Sequence, residues 1–63
     1  MFYIAIRFKS SETAHYKSKS YFHTSKSIHF DVKNGIKIYD HKEIDSIMIT
    51  SEPVGKPEKY LEE

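Results

Sequence analysis

Apolar residues occupy every second position at the start of the chain. Phe2, Ile4, Ile6 and Phe8 alternate with Tyr3, Ala5, Arg7 and Lys9. A period of two sustained over eight residues predicts a strand with one buried face, and these four side chains form that face. The period returns at Ile28, Phe30 and Val32, at Ile36 and Ile38, and at Ile47 and Ile49. Ile44 joins the last set only if a bulge lies near Asp45-Ser46. Residues 10–13 and 40–43 are polar breaks and read as loops.

Between the second and third runs stands Lys33-Asn34-Gly35, and Asn-Gly is a strong hairpin signal. A loop of Asn34-Gly35 alone sets Val32 opposite Lys37 and Asp31 opposite Ile38, which puts apolar side chains on both faces. A three-residue loop, Lys33 to Gly35, sets Val32 opposite Ile36, Phe30 opposite Ile38 and Asp31 opposite Lys37. Because a one-residue slip sends an apolar set to solvent, the second register is expected, with Gly35 in the left-handed conformation. It places Ile28, Phe30, Val32, Ile36 and Ile38 inward, and His29, Asp31, Lys37 and Tyr39 outward.

Residues 15–26 hold no Gly or Pro and are rich in Tyr, Phe and Thr, which favours a further strand, weakly buried and near an edge. From Ser51 the composition changes to Pro53, Gly55, Pro57 and four acids. This is a tail, with one helical turn starting at Pro57 or with Tyr60 and Leu61 docked on the sheet. The expected fold class is all-β: a small antiparallel meander of four or five strands, as an SH3-like barrel or an open sheet. Residues 1–50 form the single β domain, and 51–63 the tail.

Sixty-three residues bury only about 60% of the surface that the unfolded chain exposes, so such a domain is marginal alone. The chain has no cysteine, which removes disulfides, thiolate zinc sites and thiol nucleophiles and favours a cytoplasmic setting. A partner subunit is then the natural source of extra stability. The first residues do not read as a signal peptide, and no run approaches the roughly 20 apolar residues of a membrane span. A soluble protein without membrane partners is expected.

Net charge is +1, but the two halves differ. Residues 1–33 carry six basic side chains against two acids, and residues 34–63 carry four against seven. No acid lies between Thr13 and Phe30. In that stretch Lys17, Lys19 and Lys26 suit phosphates, while Tyr21 and Phe22 suit stacked bases, a combination that binds single-stranded RNA or DNA. Three lysines are a weak electrostatic footprint, so this is the alternative reading.

His15, His23, His29 and His41 match no metal-binding spacing, although the expected register puts His29 and His41 on one face near Asp31 and Asp40. Two histidines and a lysine can cleave RNA by acid–base chemistry, but these are scattered along the chain. Two glycines exclude glycine-rich phosphate loops, and no Gly-x-Ser-x-Gly elbow is present. No enzyme activity, metal or cofactor is expected.

The leading expectation is a binding module that acts on a larger protein, as an adaptor or as an inhibitor of a protein that can itself process nucleic acid. Outward tyrosines and methionines are enriched at such surfaces, which nominates Tyr3, Tyr21, Tyr39 and Met48. The acidic tail residues Glu58, Glu62 and Glu63 complete the set by meeting a basic groove. A homo-oligomer is the other partnership that a 63-residue chain invites.

Overall fold

In this computed structural model, which describes residues 1–61, each alternating run forms a strand. The strands are β1 (Phe2–Phe8), β2 (Thr13–Ser18), β3 (Tyr21–His23), β4 (Ser27–Val32), β5 (Gly35–Asp40) and β6 (Ile44–Thr50). They build two three-stranded antiparallel sheets, ordered β2-β1-β6 and β3-β4-β5. The all-β class stands, as open sheets. The strand count rises to six because the stretch 15–26 breaks at Lys19-Ser20.

Ser18 makes that corner. Its buried hydroxyl donates to the Ser20 carbonyl at 2.7 Å and accepts from the Ser20 N–H at 3.4 Å. The break shifts the alternation by one. Tyr16 and Ser18 point into the core, and beyond the corner Tyr21 takes the inner side while Phe22 faces out.

Ile4, Ile6 and Tyr16 of the first sheet pack on Ile28 and Phe30 of the second. Ile47 and Ile49 stand opposite Ile6 and Ile4, so β6 extends the same face. Ser46 pairs with Arg7 and Ile44 with Phe8, which leaves Asp45 as the extra residue of a bulge. That bulge carries Ile44 onto the core face, as the sequence requires.

The β4–β5 hairpin departs from expectation. Val32 pairs with Gly35, Phe30 with Lys37 and Ile28 with Tyr39, so the loop is Lys33-Asn34. Gly35 does have the positive φ expected of it, +145°, a conformation that residues with a Cβ rarely adopt. Lys37 and Tyr39 therefore face inward, while Ile36 and Ile38 face solvent. The physical reason lies across the core. The Tyr39 ring packs on Phe8 at 5.1 Å, and its hydroxyl lies 2.7 Å from that of Tyr16. The Lys37 ammonium sits 5.7 Å above the Tyr16 ring.

Residues 40–43, read as a plain polar break, form a 3-10 turn over His41–Glu43. The Asp40 carboxylate accepts from the Lys42 N–H at 2.9 Å, and the Glu43 carboxylate accepts from the Asp40 N–H at 3.3 Å. This reciprocal cap ends β5 and starts β6.

The tail turns once at Pro57–Lys59 and then docks. Tyr60 is buried, with its ring edge-on to Tyr3 at 5.1 Å and to His15 at 5.3 Å. Its hydroxyl accepts from the Val54 N–H and donates to the Val54 carbonyl. Leu61 bonds to β2 on both sides: the Lys17 N–H donates to its carbonyl at 2.8 Å, and its own N–H donates to the His15 carbonyl at 3.0 Å. The tail thus covers the outer face of the first sheet around Tyr3 and His15, and the β2 edge.

A candidate interaction face

Among the described residues, no part of the tail covers the second sheet in the same way. Its outer face carries Phe22, His29 and Ile38, aligned across β3, β4 and β5 as directly opposed residues. Ile36 lies two residues from Ile38 on the same face, opposite Asp31. Phe22, Ile36 and Ile38 are 56%, 61% and 58% exposed. A strand normally turns its polar side to water. Here the outward set includes three large apolar side chains held in register by the sheet.

His29 is the centre of the row and is fixed from two sides. Its ring stacks on Phe22 at 4.5 Å between centroids and 23° between planes. Its Nε2 lies 2.8 Å from the Ser27 hydroxyl. Asp31 accepts from the Ser20 hydroxyl at 2.7 Å, which ties the β2–β3 corner to the rim of the face. The face is therefore an apolar strip held in register by the sheet and bordered by hydrogen-bonded polar groups.

The side chains nominated from sequence are dispersed. Tyr3 is half-buried beneath Tyr60 on the first sheet. Tyr21 is half-buried, edge-on to Phe2 at 5.0 Å. Tyr39, expected outside, is on the inner side of β5. Met48 is 47% exposed, on β6 opposite Ala5 and on the other sheet from the apolar row. Glu58 is exposed in the Pro57–Lys59 turn, and Glu62 and Glu63 lie outside the described residues.

The basic-aromatic set also separates. Lys17 stands opposite Tyr3 on the first sheet, Lys19 sits at the corner, and Lys26 lies between β3 and β4. Tyr21 and Phe22 point to opposite faces of β3. Lys17 and Lys19 do meet Lys33 around a shallow groove that also includes Asp31.

His29 and His41, expected on one face, are apart: His41 packs on His23 at 5.8 Å, while His29 stacks on Phe22. Among the described residues, no group of three His, Asp or Glu side chains is placed to hold a metal ion. His15 titrates below its ordinary value of 6.5, chiefly because burial penalises the charged ring and secondly because Lys59 is near. Among those residues, no helix is long and apolar enough to cross a membrane.

Sequence reasoning missed Ile36 and Ile38 as surface residues, whereas His29 lies on the outward side where it was expected. Alternation was present in the sequence but does not say which face is covered. In comparisons with known protein families, curated proteins and solved structures, the chain matches none.

Proposed function

We propose that this chain is a non-enzymatic binding module that acts through protein–protein contacts, as an adaptor or as an inhibitor of a larger protein. Its contact surface is the outer face of β3-β4-β5. One observation carries the reading: Phe22, Ile36 and Ile38 are each more than half exposed on a single sheet face. Covering three such side chains is worth about 3–5 kcal/mol, since full burial of each gives roughly 1.5–3 kcal/mol. That suits the apolar centre of an interface, with the Asp31 and Ser20 rim around it.

The test is affinity capture from native cells with the full chain and a Phe22→Ala/Ile38→Ser variant. A partner held by the wild type and lost by the variant supports the reading, with Met48→Ala as a control on the other sheet. A partner retained equally by both chains overturns it.

The alternative, single-stranded nucleic acid, draws its support from the groove of Lys17, Lys19 and Lys33. The dispersal of the five residues first named for it weighs against it. A labelled oligonucleotide retained at low salt by the wild type and lost by Lys17→Glu/Lys19→Glu would favour it instead.

A further inference from the structure

The apolar row ends at an open border. In a turn closed by two residues, the first carbonyl accepts from the fourth N–H, so Val32 and Gly35 exchange hydrogen bonds, and bonded pairs then alternate along the hairpin. Phe30–Lys37 and Ile28–Tyr39 are accordingly bonded pairs. Two observed bonds confirm the parity. The Asp31 N–H turns away from β5 to the Ser20 carbonyl at 3.3 Å, and the His41 N–H donates to the Lys26 carbonyl at 2.8 Å. The N–H and C=O groups of Ile36 and Ile38 therefore point off the edge of the sheet, where no described strand meets them.

Two other borders are protected, since Leu61 occupies the β2 edge and β3 is only three residues long, and the Asp45 bulge bends the start of β6. Short strands, bulges and edge lysines are the usual guards against unwanted pairing. β5 has six residues, with no proline and no bulge. Its one lysine, Lys37, turns inward over Tyr16.

We infer that the β5 edge pairs antiparallel with β5 of a second copy of this chain. The pairing is about a twofold axis at Ile38. This rests on the reading of the outer face as a contact surface and names one partner for its border. The register follows from charge. Centring the axis on Lys37 would set two lysines directly opposite, which is unfavourable. Centring it on Ile38 sets Ile38 against its counterpart, Lys37 against Tyr39 and Ile36 against Asp40. Every pair then keeps its side of the sheet. The outcome is a six-stranded sheet with one outer row: Phe22, His29 and Ile38, followed by Ile38, His29 and Phe22 of the second copy. At about 4.8 Å per strand that row runs roughly 24 Å. The dimer thus doubles the surface offered to a third protein.

Edge pairing of this length falls at the small end of interfaces, below about 1,200 Å² in total, so association is weak and is measured at high concentration. Sedimentation velocity on the full chain from about 10 µM to 1 mM is expected to show the mass doubling. Amide exchange should slow at Ile36 and Ile38 as the dimer fills, while the Lys37 and Tyr39 amides stay unchanged. Ile38→Lys is expected to weaken self-association by about tenfold or more. Because residue 38 opposes itself, mixing Ile38→Lys with Ile38→Glu chains restores the dimer as a heterodimer.

A wild type that stays monomeric throughout overturns self-pairing, as does a dimer whose Ile36 and Ile38 amides exchange freely. Failure of the charge-swapped mixture overturns the twofold register. None of these results touches the contact-surface reading, which Phe22→Ala on the far strand tests without altering the edge.

Discussion

The phenolic oxygens of Tyr16 and Tyr39 lie 2.7 Å apart and join the two sheets by a hydrogen bond at the border of the core. Both rings also face Phe30, at 5.0 and 6.2 Å. This aromatic cluster turns Tyr39 inward, and strand parity then turns Ile36 and Ile38 outward.

The pair predicts a specific coupling. Tyr39→Phe and Tyr16→Phe should each cost about 1 kcal/mol, because each leaves one part-buried hydroxyl without this partner. The double variant should cost clearly less than the sum, since the two single changes break the same bond. Urea unfolding of the four chains measures this, and strict additivity would refute the coupling.

Ile28 and Ile38 should respond oppositely to truncation, although both belong to alternating runs. Ile28 is fully buried and Ile38 is 58% exposed. Ile28→Ala should cost about 2–5 kcal/mol, enough to unfold a marginal domain. Ile38→Ser should stay within about 0.5 kcal/mol at concentrations where the chain is monomeric. Equal losses in thermal unfolding would restore the register with Ile38 inside.

Ser11, in the β1–β2 loop, has φ +75°. The left-handed region costs a residue with a Cβ roughly 1–2 kcal/mol, which glycine avoids at some loss of chain entropy. Ser11→Gly should therefore stabilise the chain by about 0.5–1 kcal/mol. A lower denaturation midpoint for this variant would show that the Ser11 side chain contributes more than its backbone strain removes.

His15 makes the docked tail sensitive to acid. Its pKa lies below 6.5 when folded, for the burial and Lys59 reasons given above. The unfolded chain then binds the proton more readily, so stability rises with pH through this window. The contribution is fully present above 6.5 and is lost as pH falls through and below that value. Acidification should loosen Tyr60 from Tyr3 and His15, seen as a change in the Tyr60 ring resonances by NMR. His15→Gln should remove that step, and an unchanged titration in this variant would exclude His15 as its source.

Alternation is a local property, and much of the fold was legible from it. β1 was read with its core face, and Ile44 announced its bulge because only an extra residue lets it join Ile47 and Ile49. Pro57 marked the tail's one turn. The corner at Lys19-Ser20 was not legible, because the residues on either side all favour strands and the bend depends on Ser18 bonding across it. The contact face stayed hidden for a related reason. Tyrosines look like surface groups when their hydroxyl partners are unknown, so Tyr3, Tyr21 and Tyr39 were nominated and Ile36 and Ile38 were placed inside.

By itself, then, the sequence determined that this is an all-β chain, where most strands begin and end, and which residues share a face. It could not decide which face of β5 is buried, because two alternating sets, Ile36/Ile38 and Lys37/Tyr39, compete for one inner side. Only the tertiary structure settles that. The space beside Tyr16, Phe8 and Phe30 takes an aromatic ring with a hydroxyl, and the isoleucines are left on the surface at an open edge.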